Sequence, residues 1–192
     1  MMVKICGITR REDAVAAAEA GASALGFIFY PKSPRYVTPE KARELGDGLE
    51  TWKVGVFVDE SPESVATIMA EAKLDVAQIY GNYLNTRKAR VWRAVRVSEG
   101  GIFGFSNCEA LLLDSSANGA TFDWTAAPQL AGRDAALHVI IAGGLNPSNV
   151  GEAIRIAQPW GVDASSGLES SPGIKDHEKV RQFIKAARET AS

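Results

Sequence analysis

The 192-residue sequence predicts an α/β protein, a compact single-domain (β/α)₈ TIM barrel over residues 1–192, on three observations. Eight short β-prone apolar runs recur along the chain, capped helical segments lie between them, and the turn after the first run lacks a dinucleotide-type glycine pattern. The runs are Val3–Cys6, Ala24–Phe29, Val54–Val58, Val76–Ile79, Val91–Val97, Ala110–Leu113, Val139–Ala142 and Gly161–Ala164. Most are continuously apolar rather than alternating, as in strands of a parallel sheet covered on both faces. Strand–helix alternation repeated in this way describes a barrel. A doubly wound open sheet would place G-x-G-x-x-G after its first strand. Here Cys6-Gly7-Ile8-Thr9 offers one glycine. No linker, low-complexity tract or domain boundary interrupts the pattern.

The helices follow in order. Thr9-x-x-Glu12 has the form of a capping box before an alanine-rich helix ending at Gly21. Thr38-Pro39, Ser61-Pro62 and Asn146-Pro147 each set a cap residue before a proline suited to the first helical position. After Ser61, residues Val65, Ile68, Met69 and Ala72 share one helical face, and Val180, Phe183, Ile184 and Ala187 do so in the last helix. Ser98–Asn107 carries three glycines and little periodicity, so the fifth helix is expected to be short or missing.

Composition is 46% hydrophobic and 23% charged with a net charge of −2, ordinary for a globular protein and without a footprint for nucleic acid or an anionic membrane. Cys6 and Cys108 are too few for a disulfide framework, and with His138 and His177 they form no metal-ligand cluster. No signal-like region opens the chain and no apolar run approaches the ~20 residues of a membrane span, so a cytoplasmic protein is expected.

In a barrel the chemistry gathers at the C-terminal ends of the strands. Strand one ends in Cys6, which could be a small buried hydrophobe or, at a strand end before Gly7, a functional thiol. Strand six runs through three leucines into Asp114; a carboxylate there needs a partner, a helix to cap, or a function. Gly143 and Gly144 follow strand seven, and Ser165, Ser166 and Gly167 follow strand eight. Such residues can bring amides and hydroxyls to an anion, and barrels often bind phosphate between these loops. Lys32 and Arg35 sit on the proline-stiffened loop after strand two, facing either an acidic ligand or solvent. Gln78 closes strand four at the mouth; His177, His138 and Cys108 are expected to stand away from the site.

Several stretches together resemble the phosphoribosylanthranilate isomerase signatures. They are Lys4-Ile5-Cys6-Gly7-Ile8-Thr9, Gly26 through Arg35, Gly55-Val56-Phe57-Val58, Leu112-Leu113-Asp114, Thr121-Phe122-Asp123-Trp124, Gly143 through Val150 and Asp163-Ala164-Ser165-Ser166-Gly167. The resemblance runs in order over nearly the whole chain. It implies a cofactor-free, metal-free Amadori rearrangement of N-(5-phosphoribosyl)anthranilate in tryptophan biosynthesis. It implies Cys6 as general base, Asp114 as general acid and Arg35 on the anthranilate carboxylate. Gly143, Gly144, Ser165, Ser166 and Gly167 would hold the phosphate, with Asp163 near the sugar and Gln78 at the mouth. The partner would be a phosphorylated small molecule, and the protein a monomer or weak homodimer.

Two stretches depart from the family pattern. The turn after strand four reads Gln78-Ile79-Tyr80-Gly81 where the family usually has histidine at the third place. The loop after strand six, Ser115-Ser116-Ala117-Asn118-Gly119-Ala120, lacks the usual Gly-Lys pair. Two other functions stay open: a broader-specificity sugar-phosphate isomerase that also takes the histidine-pathway substrate, and a non-catalytic ribose-phosphate binding module. The first usually needs catalytic aspartates on strands one and five, and Cys6 holds the first of those places.

Overall fold

The structure, a computed structural model, describes residues 1–80, 90–97, 108–115, 121–125, 127 and 137–191. Eight parallel strands close into a barrel in sequence order, β8 returning to pair with β1. They are β1 (Met2–Cys6), β2 (Ala24–Ile28), β3 (Trp52–Phe57), β4 (Val76–Tyr80), β5 (Arg90–Val97), β6 (Ala110–Ser115), β7 (His138–Ile141) and β8 (Gly161–Ala164). Each overlaps its expected run. Five α-helices are found among the described residues: α1 (Arg11–Glu19), α2 (Pro39–Gly46), α3 (Pro62–Glu71), α4 (Val150–Ala157) and α5 (His177–Ala191). After β8 the chain makes a short 3₁₀ turn and an antiparallel pair, β9 (Glu169–Ser171) with β10 (Ile174–Lys175). The expectation about the fifth helix falls on Ser98–Asn107, outside the described residues.

Two helix starts follow the sequence rule and two do not. Thr38 and Ser61 accept from the amides of Lys41 and Ser64, with Pro39 and Pro62 in the first turn. The capping box at Thr9 is not formed. Arg10 is the N-cap and makes no side-chain cap bond, while the Thr9 hydroxyl donates instead to the Gly173 carbonyl at 2.5 Å. A partner brought from the far end of the chain outcompetes the local amide. Asn146-Pro147 likewise begins a turn rather than a helix. Asn146 is held by Asn149 and caps Ser148, and α4 starts only at Val150.

The continuous apolar runs conceal a period of two. Val3, Ile5, Leu25, Phe27, Leu111 and Leu113 point outward and pack with helix residues such as Ala14, Leu45, Val65, Phe183 and Ile184. Met2, Ala24, Val54, Val76, Trp92, Ala110, Leu112 and Ile140 point inward and fill the barrel. Full burial of each larger apolar side chain stabilises by about 1.5–3 kcal/mol. Toward the C-terminal ends the inward column turns polar, through Lys4 and Cys6 on β1, Gln78 and Tyr80 on β4, Asp114 on β6 and Asp163 on β8. This change of character sets the place of the site.

Candidate active site

The polar upper ends of the strands enclose a cavity of about 710 Å³. Cys6, Arg35, Gln78, Asp114, Gly143, Gly144, Asp163, Ser165, Ser166 and Gly167 all line it. Every site residue expected from the sequence is therefore brought to one place. His138, His177 and Cys108 are not among the lining residues. His177 instead bonds Asp13 of α1 at 2.8 Å, tying the last helix to the first.

Cys6 ends β1 and is buried. Lys4, two residues earlier, shares its inward face and is fully buried, with Nζ 3.0 Å from Asp163 Oδ2. Gly26 on β2 faces Cys6 in register, and a Cβ there would come within 2.7 Å of Sγ and 3.0 Å of Lys4 Cε. Glycine is needed because both side chains pass over it. Burial pushes the Cys6 thiol up, against the lowering pull of Lys4. Burial alone would lower Lys4, but Asp163 and then Cys6 hold its ammonium above the ordinary value. Cys6 is thus a buried thiol beside a lysine held as a cation.

Asp114 follows Leu112 by one inward step on β6. Burial pushes its carboxyl up, and the Tyr80 hydroxyl, which donates to Oδ2 at 2.9 Å, pulls it back down. Gln78 Oε1, Asp163 Oδ1 and Ser165 Oγ are buried at the cavity without a hydrogen-bond partner among the described residues. Buried polar atoms seldom stay unpaired, so these three suit a polar ligand.

The loops after β7 and β8 are tight. Gly143 and Gly144 hold φ +78° and +63°, where a side chain would be strained. Turns of that kind aim successive amides toward an anion. A Cβ on Gly167 would lie 2.2 Å from the Leu145 carbonyl, so glycine alone lets the two loops meet.

Arg35 differs most from the simple expectation. Its Nε and Nη2 grip the Glu169 carboxylate at 2.8 and 2.7 Å. Glu169 also takes Lys175 Nζ at 2.9 Å, and Lys175 in turn donates to the Ser165 carbonyl at 3.2 Å. Burial would raise Glu169, but Arg35 and Lys175 hold it below the usual carboxylate range. The guanidinium that lines the cavity is thus oriented from behind.

Sequence reasoning gave no site role to Lys4, Tyr80 (met only as a departure from the family pattern), Arg96, Glu169 or Lys175. The first three had a signal: each lies two residues from an inward-facing strand position, so period two puts it on the same wall. Glu169 and Lys175 had none, since their partners are distant in sequence. Among the described residues no cluster of His, Cys, Asp or Glu is arranged to hold a metal ion. Nor, among them, is any helix long and apolar enough to cross a membrane.

The chain is similar to known proteins over nearly its whole length. The family model for N-(5'phosphoribosyl)anthranilate (PRA) isomerase matches residues 3–186. The N-(5'-phosphoribosyl)anthranilate isomerase of Solibacter usitatus is 46% identical, covering 98% of each chain. The crystal structure of the Thermus thermophilus phosphoribosyl anthranilate isomerase superposes with a TM-score of 0.89 at 38% identity, covering 98% of this chain and 99% of that one. A further crystal structure of such an isomerase, in complex with reduced 1-(o-carboxyphenylamino)-1-deoxyribulose 5-phosphate, matches with a TM-score of 0.84 at 38% identity, again covering 98% and 99%.

Proposed function

As the chain belongs to the N-(5'-phosphoribosyl)anthranilate isomerase family, it is an isomerase of tryptophan biosynthesis, and we propose that Cys6 and Asp114 carry its proton transfers. It converts N-(5-phosphoribosyl)anthranilate into 1-(2-carboxyphenylamino)-1-deoxyribulose 5-phosphate. One observation carries the assignment of roles: a thiol and a carboxyl, each pushed up by burial, line the same cavity as two glycine–serine loops suited to phosphate.

The rearrangement needs an acid and a base. Asp114 gives a proton to the ring oxygen, the C1′–O bond breaks, and the nitrogen lone pair forms a C1′=N iminium. The C2′ proton becomes acidic, and the Cys6 thiolate removes it to leave an enolamine. Tautomerisation to the 2-ketone completes an isomerisation in which no atom is gained or lost. Each positioned group contributes about 10²–10⁴-fold. The two groups share one proton. The working form has it on Asp114, which burial favours, with Cys6 as the thiolate, which burial opposes. Lys4 stabilises the thiolate so formed. Gly143, Gly144, Ser165, Ser166 and Gly167 bind the phosphate, Asp163 and Gln78 meet the sugar and the cavity mouth, and Arg35 meets the anthranilate carboxylate. Residues 1–192 act as one barrel domain in the cytoplasm, a monomer or weak homodimer whose partner is the phosphorylated substrate.

Purified protein should extinguish the fluorescence of the anthranilate substrate. Protein that binds phosphate yet leaves that signal unchanged would refute the proposal. Crystals soaked in sulfate should show the anion between the loops after β7 and β8, and an anion found only elsewhere would remove those residues from the phosphate site.

A further inference from the structure

Tyr80 stands on the inward wall of β4, and its hydroxyl reaches across β5 to Oδ2 of Asp114 at 2.9 Å. Ala94 is its register partner on β5, and a small side chain there leaves the crossing open. One step higher, Arg96 is the register partner of Asp114, and its guanidinium lies 5.7 Å from the centre of the Tyr80 ring. That distance is within cation–π range. Three adjacent strands thus each supply one member of a chain of contacts, with Arg96 against the Tyr80 ring and the Tyr80 hydroxyl on Asp114.

We propose that Tyr80 is a positioning residue for Asp114: its hydroxyl fixes Oδ2 so that Oδ1 is the oxygen presented to the reacting sugar, and Arg96 holds the phenol from its ring face. This rests on the reading of Asp114 as the general acid. The end torsion of an aspartate is broad and roughly two-fold, so the carboxyl takes its aim from the groups that bond it, here the Tyr80 hydroxyl and the Ser115 amide. Proton delivery depends on aim, and a misplacement of about 1 Å can cost on the order of a hundredfold. A neutral phenol suits the task. Burial pushes Tyr80 well above its ordinary value, so it remains a donor at any working pH and cannot itself serve as the base. Other titratable groups facing the pair are Asp163 of β8, paired with Lys4, and the Cys6 thiol of β1.

Tyr80→Phe removes the hydroxyl and keeps the ring. It should lower kcat roughly ten- to a hundredfold, with KM within a few-fold and the melting temperature nearly unchanged. The pH profile gives the readout that a packing role would not move. The working form holds one proton between Cys6 and Asp114, so the acidic limb of kcat/KM marks arrival of a second proton, at Asp114. Loss of a donor to the carboxylate raises that limb by about one pH unit. Arg96→Gln should move it in the same direction by less. A wild-type kcat in Tyr80→Phe overturns the proposal. So does a fall in kcat with the limb in place, which would put Tyr80 on substrate rather than on Asp114. Asp114→Asn, run alongside, separates the two levels. Full activity there defeats the acid role and the proposal with it. An inactive Asp114→Asn beside a normal Tyr80→Phe defeats the positioning role alone.

Discussion

The two ends of the barrel solve opposite problems with the same eight strands. At the N-terminal end Trp52, Trp92 and Trp160 pack against one another with ring centres 6.1 to 6.3 Å apart, and His138 stacks on Trp160 at 4.3 Å. That plug is apolar and holds by area and shape. At the C-terminal end the same inward positions carry Lys4, Cys6, Tyr80, Asp114 and Asp163, each bound to a specific neighbour or aimed into the cavity. Apolar packing is non-directional, so the lower end supplies stability. Buried polar groups cost free energy unless paired, so the upper end is built from directed contacts. Damage should divide accordingly, with rate lost at the top and stability at the bottom.

The largest effect should come from the proposed base and acid. Cys6→Ser and Asp114→Asn should each lower kcat by about 10²–10⁴-fold or more while melting close to the parent. Serine nearly keeps the shape of cysteine but its hydroxyl is a far weaker base. Asparagine keeps the shape of aspartate without an acidic proton. Steady-state kinetics beside thermal melts decide the matter, and a variant that keeps near-parental kcat loses its assigned role.

The opposite outcome is expected at the other end. Trp92 is fully buried among Trp52, Trp160 and Val76. Trp92→Ala should cost roughly 3–5 kcal/mol of stability, read in denaturant, with kcat of the folded fraction little changed. A tenfold loss of kcat in that folded fraction would mean that the two ends are mechanically coupled and would end the division proposed above.

The two ends also differed in how far the sequence revealed them. Strand positions were legible because both strand faces are apolar over the lower turns. Cys6 and Asp114 were legible because each interrupts or closes such a run where a barrel opens. Lys4 was hidden because a lysine near the chain start reads as solvated, and only the pairing of β1 with β8 sets it on Asp163. Arg35 could be read as a cation on a stiff loop, but its partner Glu169 lies 134 residues on. No local pattern announces a bond of that span. The same long reach defeated the capping box, where Gly173 takes the Thr9 hydroxyl across 164 residues.

The Arg35–Glu169 pair gives an intermediate effect and a sign. Arg35→Ala should raise KM about ten- to a hundredfold, the scale of a charge-assisted bond, with kcat within a few-fold. It should also lower the melting temperature, because Glu169 loses a partner. The folded Glu169 carboxyl lies below its usual range, so its contribution to stability is complete above the unfolded value near ~4.3 and fades as pH falls through the folded value. The gap in melting temperature between parent and variant should therefore narrow as pH falls below about 4.3. An unchanged KM would leave Arg35 as a structural partner of Glu169 only.

The smallest effect belongs to a charged pair at the apolar end, and it tests whether directed contacts matter there at all. Arg90 holds Glu109 through Nε at 2.7 Å and Nη2 at 2.5 Å, with both side chains about a third exposed. The same guanidinium lies 4.2 Å from the centre of the Trp52 ring. Two substitutions separate these contacts. Glu109→Gln removes the ion pair and leaves the cation on the ring, and should cost at most about 1 kcal/mol at neutral pH, as exposed pairs do. Hydrogen bonds from Arg90 hold Glu109 below its usual range, so this cost is present above pH ~4.3 and disappears as acid protonates the parent. Arg90→Gln removes both contacts and adds about 0.5–1 kcal/mol for the lost cation–π contact. That increment has no carboxylate in it and should survive at pH 3. Denaturant melts of both variants at pH 7 and pH 3 give four numbers. If the Arg90→Gln deficit vanishes in acid along with that of Glu109→Gln, Arg90 serves only the carboxylate. A deficit that persists places Arg90 in the aromatic plug, as a lid on Trp52 whose hold does not depend on its counter-ion.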